Sequence, residues 1–61
     1  MTFSEHLLQL RKARGLKQTE LAPHIGISWR AYKTYERGHC EPQMSTLIAL
    51  ADFYGISLDE L

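Results

Sequence analysis

Four glycines, Gly15, Gly26, Gly38 and Gly55, cut this 61-residue chain into short segments, and that punctuation limits its fold more than any other feature. Each glycine follows a stretch that reads as a helix: "FSEHLLQLRKAR", "QTELAPHI", "SWRAYKTYER" and "MSTLIALADFY". A glycine just past a helix accepts the left-handed backbone that closes it, without a Cβ penalty. The starts agree with the stops. Thr2-x-x-Glu5 and Ser57-x-x-Glu60 read as capping boxes, and Ser28 is a good cap for the segment behind it. Pro42 fits a connection just ahead of another helix.

Between these marks the apolar residues recur at helical spacing. Phe3, Leu7 and Leu10 form one stripe. Leu21, Ala22 and Ile25 form a second, and Leu47, Leu50, Ala51 and Tyr54 a third, with Ile48 beside it. No stretch alternates with a period of two for long enough to make a strand. The pattern predicts an all-α domain over residues 1–61 with five short helices, the last starting at Ser57. The second helix is expected at about 18–25 and the third at about 29–37.

A chain of this length holds one domain with a modest core. Its 44% hydrophobic content is too high for a disordered segment. No apolar run approaches the ~20 residues that span a bilayer, and Glu5, His6 and Gln9 interrupt the N-terminus, so it does not read as a signal peptide. A single cysteine, Cys40, cannot form an internal disulfide. These features lead to the expectation of a cytoplasmic protein without a membrane partner. Formal net charge is zero, but its distribution is lopsided. All seven cations (Arg11, Lys12, Arg14, Lys17, Arg30, Lys33 and Arg37) precede residue 38 and share that segment with three acids, a net of +4. Residues 39–61 hold four acids and no Lys or Arg, a net of −4. Such asymmetry points to one side that faces a polyanion.

The stretch Gly26 to Gly38 concentrates that charge. On a helix, Ala31, Tyr32 and Tyr35 fall in an inward arc of about 100°. Trp29, Arg30, Lys33, Thr34 and Arg37 fall on the outer side. The joint before it, "GIS", is a tight turn, with Ile27 expected to plug the core. A helix, a short glycine turn and a second helix with a basic and aromatic outer face make a helix-turn-helix.

The order and spacing of several pieces together resemble the lambda-repressor-like helix-turn-helix family, also called the Cro/repressor or XRE family. The matching residues are "LRKARGLKQTELA" (Leu10 to Ala22), "GIS", "YERG" (Tyr35 to Gly38), Pro42 and "LIALADFYGISLDEL" (Leu47 to Leu61). The resemblance implies a five-helix domain that binds double-stranded DNA as a homodimer on a palindromic operator, most simply as a transcriptional repressor. It also admits a toxin protein as partner, or a further C-terminal domain. Three positions depart from the pattern. Lys17 stands where the family prefers a serine or threonine cap. Pro23 lies inside the second helix and is expected to distort or shorten it. Glu41 is an acid where relatives often place a cation near phosphate.

Matching positions imply roles. Arg30 is the foremost base-reading residue, because a guanidinium fits guanine O6 and N7 in the major groove; the alternative is a contact to phosphate alone. Trp29 can pack on a thymine methyl or sugar edge, or shield the turn between the two helices. Thr34 is the third base-contacting position. Gln18, at the start of the second helix, is assigned to a phosphate, as are Lys33 and Arg37. Ser28 can cap its helix or touch a phosphate. Glu36 ends the third helix, where a negative charge is disfavoured. The family pattern pairs it with Arg11, which makes Glu36 structural and not a catalytic acid.

Other chemistry finds little support. His6, His24 and His39 lack metal-ligand spacing with Cys40, so no metal or other cofactor is expected. No nucleophile–base–acid grouping, phosphate loop or paired carboxylate appears, so no enzymatic role is expected. Two other functions compete with the regulator: an antitoxin that also neutralises a toxin protein, and a protein-interaction module with the same fold. The cations on the outer face of the third helix favour DNA; an acidic or apolar face would favour protein.

Overall fold

The computed structural model describes residues 2–61. It contains α1 (Phe3–Ala13), α2 (Gln18–Ile25), α3 (Trp29–Glu36) and α4 (Met44–Tyr54); among the described residues there is no strand. Local chemistry accounts for most of these boundaries. Thr2 Oγ1 accepts the Glu5 amide at 3.3 Å, and Glu5 Oε1 accepts the Thr2 amide at 3.3 Å, a closed capping box at the head of α1. Ser28 Oγ accepts the Ala31 amide at 3.2 Å and caps α3. Lys17 heads α2 with no side-chain cap, since an ammonium has no acceptor; its own amide donates to Glu20 Oε1 at 2.8 Å.

The helix ends share one device. The residue after each glycine donates its amide to the carbonyl five positions back: Leu16 to Arg11, Ile27 to Ala22, His39 to Thr34 and Ile56 to Ala51, at 3.0–3.3 Å. This satisfies carbonyls left over by the helix, and it turns the following residue inward. Leu16, Ile27 and Ile56 pack on the core as a result. The turn between α2 and α3 depends on it most. Gly26 sits at φ 82°, and a Cβ built there meets nothing within 4 Å. The cost of a side chain is therefore backbone strain alone. Gly26→Ala is expected to lose about 1–2 kcal/mol in a thermal or urea melt, with Gly26→Asn losing less. Equal stability of Gly26→Ala and the parent would mean that the turn relaxes to another conformation.

The core is one cluster of Leu7, Leu21, Ala22, Ile25, Tyr32, Leu50 and Tyr54. α2 lies against both α3 and α4, and α1 against α3. Leu7, Leu21, Tyr32 and Leu50 are completely buried. Of the three residues expected on the inner arc of α3, Tyr32 is buried, while Ala31 and Tyr35 are half-buried.

Two expectations need correction. Among the described residues there are four helices, not five. Ser57 and Glu60 do form their side-chain box, yet the backbone there closes i→i−3, Glu60 to Ser57 at 3.1 Å and Leu61 to Leu58 at 3.2 Å. A first helical turn fixes many dihedrals for one hydrogen bond, so residues 57–61 settle as a tight turn. Pro23, in turn, neither breaks nor shortens α2, which runs unbroken to Ile25. Pro23 is exposed on the solvent side and the helix is closed behind it by Gly26, so loss of one internal hydrogen bond is tolerated.

Candidate nucleic-acid interface

The floor of the site is an ion pair. Arg11 Nε lies 2.7 Å from Glu36 Oε2, with side-chain exposures of 14% and 5%. Arg11 Nη2 also donates to Glu36 Oε1 at 3.2 Å, and Nη1 to the Leu16 carbonyl at 2.8 Å. One guanidinium thus joins α1, the turn before α2 and the last residue of α3. It is the only salt bridge among the described residues. It also answers the misplaced charge at the end of α3, because the fork of the guanidinium offsets the unfavourable helix dipole.

Burial pushes the Glu36 carboxyl up, but the bonds from Arg11 and the Gln18 amide, with the Tyr32 phenol nearby, outweigh it and hold the carboxyl below its usual value. The same bond to Glu36 holds the Arg11 guanidinium above its ordinary value. Burial raises the Tyr32 phenol and, likewise, the Tyr54 phenol above their ordinary value, and the Glu36 charge adds to both. The two hydroxyls lie close enough to feel that charge, yet neither has hydrogen-bond geometry to another described residue. Tyr32 and Tyr54 therefore stay neutral and serve as packing.

Of the sequence-assigned residues, Gln18 connects to this floor directly and Trp29 through it, and Gln18 takes another role than the expected one. Gln18 Nε2 donates to Glu36 Oε1 at 2.9 Å, and Gln18 Oε1 accepts the Trp29 indole Nε1–H at 3.1 Å. Both ends of the side-chain amide expected on a phosphate are thus engaged inside the protein. Since Lys17 supplies no cap, the main-chain amides of Gln18 and Thr19 have no hydrogen bond to another described residue. Sequence reading missed the Trp29–Gln18–Glu36 connection. Its partners are 11 and 18 residues apart, and no local spacing rule reaches that far.

The outer face of α3 is exposed. Trp29 keeps 44% of its surface in solvent, and Lys33 Nζ stands 4.3 Å from its ring centroid, a cation–π contact one helical turn along. Arg30 and Arg37 are exposed, and none of Arg30, Lys33 and Arg37 has an acidic partner among the described residues. Ser28 Oγ is used as the cap, leaving its own proton to donate. Thr34 Oγ1 donates to the Ala31 carbonyl at 2.6 Å, which commits its proton to the helix. Glu41 lies exposed in the loop after α3. Among the described residues no group of His, Cys, Asp or Glu is arranged to hold a metal ion, and no helix is long and apolar enough to cross a membrane.

Comparison with known proteins agrees with this fold. A family model described as helix-turn-helix (HTH_3) matches residues 7–61. Over 61 residues the chain is 44% identical to the cryptic phage CTXphi transcriptional repressor RstR of Vibrio cholerae serotype O1, which covers 100% of this chain and 54% of that protein. It is 42% identical over 59 residues to the uncharacterized HTH-type transcriptional regulator YqaE of Bacillus subtilis, covering 97% of this chain and 51% of YqaE. Among solved structures, the solution structure of the SOS-response transcriptional repressor LexA from Eubacterium rectale aligns with a TM-score of 0.90 and 33% identity, over 95% of this chain and 62% of that one. The chain spans about half the length of the curated relatives it matches.

Proposed function

The chain belongs to the helix-turn-helix family, and from that membership we propose that it is a sequence-specific, double-stranded DNA-binding transcriptional regulator, acting as a repressor with α3 as its recognition helix. The observation that carries this reading is the unneutralised outer face of α3. The one buried acid of that helix, Glu36, is consumed by Arg11, and Arg30, Lys33 and Arg37 have no acidic partner. Cations held in this way on the second helix of a helix-turn-helix suit a major groove lined by phosphates.

Roles divide by chemistry. Arg30 reads a base through its guanidinium, with Trp29 and Thr34 flanking it along the helix. Lys33, Arg37, the Ser28 hydroxyl and the uncapped amides of Gln18 and Thr19 hold phosphates, the last two at the positive end of α2. The protein acts as a homodimer on a palindromic operator, which sets two recognition helices about 34 Å apart in successive major grooves. Names of relatives that include repressors support the direction of regulation.

Selection from random duplex DNA tests the reading. A half-site repeated with two-fold symmetry is the expected product, and no enrichment even at low salt would sink it. Arg30→Ala should then lose about 1–3 kcal/mol per base contact and relax preference at one position of each half-site. Unchanged affinity and preference in Arg30→Ala would move base reading to Trp29 and Thr34.

A further inference from the structure

The Trp29 indole is wired to the ion pair beneath it. An ionised carboxylate only accepts hydrogen bonds, so Glu36 draws the NH2 end of Gln18 toward itself, Nε2 to Oε1 at 2.9 Å. The amide carbonyl is then presented on the other side. It meets the indole Nε1–H at 3.1 Å, and an indole nitrogen only donates. A reversed amide would set oxygen against carboxylate and N–H against N–H. The charge of Glu36 therefore selects one orientation of Gln18, and Gln18 selects one seat for the indole. Lys33 stands over the same ring at 4.3 Å. Trp29 thus reaches the surface, 44% exposed, with its one hydrogen-bonding group already used. What it offers a ligand is an apolar ring with neither donor nor acceptor.

We propose that Glu36 and Gln18 hold Trp29 as a donor-free surface that selects the 5-methyl group of a pyrimidine, thymine in ordinary DNA, at its place in the half-site. In this arrangement Gln18 is a positioning residue and Trp29 sets specificity. An indole with its N–H free would instead favour acceptors such as guanine N7 and O6. The inference rests on the reading of α3 as the helix that enters the major groove. Burial of one methyl corresponds to about a fourfold change in affinity.

The test uses duplexes from the selection, with each thymine replaced singly by deoxyuridine, which removes only the methyl. For the full chain, one thymine per half-site should show about a fourfold loss. Trp29→Ala should no longer distinguish thymine from deoxyuridine at that position. Trp29→Phe keeps an apolar ring but breaks the bond to Gln18, so it should distinguish them less well than the parent, as Gln18→Met does. Gln18→Met keeps length and volume but has no amide. Without DNA, it should remove the protection of the indole N–H from hydrogen exchange, a signal assigned without ambiguity because Trp29 is the only tryptophan. On DNA it should lower the thymine-to-deoxyuridine ratio. If Gln18→Met does not fold, the Trp29→Ala and Trp29→Phe pair decides on its own. A chain that binds its duplex tightly, yet shows no deoxyuridine effect at any thymine, overturns this inference and leaves the proposed function standing. Undiminished discrimination in Trp29→Phe also overturns it, since the bond to Gln18 would then play no part in seating the ring. Absence of binding to any duplex removes the proposed function, and this inference with it.

Discussion

Replacing Glu36 with alanine should cost about 3–5 kcal/mol of folding stability, because it strands the Arg11 guanidinium, 14% exposed, without a counter-charge. At roughly 0.05–0.15 kcal/mol per residue, the whole domain holds only about 3–9 kcal/mol. The variant should therefore be largely unfolded or melt far below the parent. Exchange of both partners for apolar residues, Arg11→Met with Glu36→Leu, should recover much of the loss, since no charge is then left buried. A urea midpoint that barely moves in Glu36→Ala would mean that the pair behaves like an exposed one. The pH dependence has a definite sign. The Glu36 carboxyl is held below its unfolded value of 4.5, so its contribution is fully present above that value and disappears as pH falls through the lower, folded one. Melting temperature followed down to strongly acidic pH should drop on that limb for the parent. In Glu36→Gln, already weakened, that part of the drop should be missing.

Binding to DNA should weaken on the order of 100-fold between 50 and 200 mM salt. If Lys33 and Arg37 of each protomer sit on phosphates, a dimer makes about four cationic contacts. Release of counterions then gives a slope of log affinity against log salt near −3.6. Lys33→Ala and Arg37→Ala should each flatten that slope by about two for a dimer, one per lost contact, and Arg37→Ala should weaken all sequences alike. Lys33 serves a second purpose, its contact with the Trp29 ring, so Lys33→Ala should also loosen the indole whereas Arg37→Ala should not. A slope near zero with tight binding would deny phosphates any large share in recognition. A slope unchanged by both substitutions would place the cationic contacts elsewhere on the chain.

Helix spans were legible because their causes are local. Thr2 and Glu5 cap one another across three residues, Ser28 caps α3 across three, and each glycine closes a bond across five. The stripes at Leu7, Leu21 and Leu50 follow from the helical period, and these side chains are fully buried. The Arg11–Glu36 pair was expected because of resemblance to a family and not from spacing. Charge placement on α3 was readable too, since residues one turn apart share a face whatever surrounds the helix.

Other features depend on what folding brings together. Whether Ser57–Leu61 propagates as a helix or stops as one turn is decided by a balance between nucleation and packing that the capping pattern does not contain. Pro23 looks disruptive in sequence and is harmless on the open side of α2, because only the packing says which side is open. Gln18 has an acceptor and two donors and could satisfy them on a phosphate, on water or within the protein. Its sequence neighbours do not choose among these. The choice is made by Glu36, 18 residues away, and by Trp29, 11 residues away. The four helical segments and the helix that carries the cations could be read from the chain alone, because those depend on neighbours within a turn or two. Tertiary structure alone decided which polar groups on that helix are already spent, because hydrogen bonds between helices need two side chains at bonding distance, and only the packed fold puts them there.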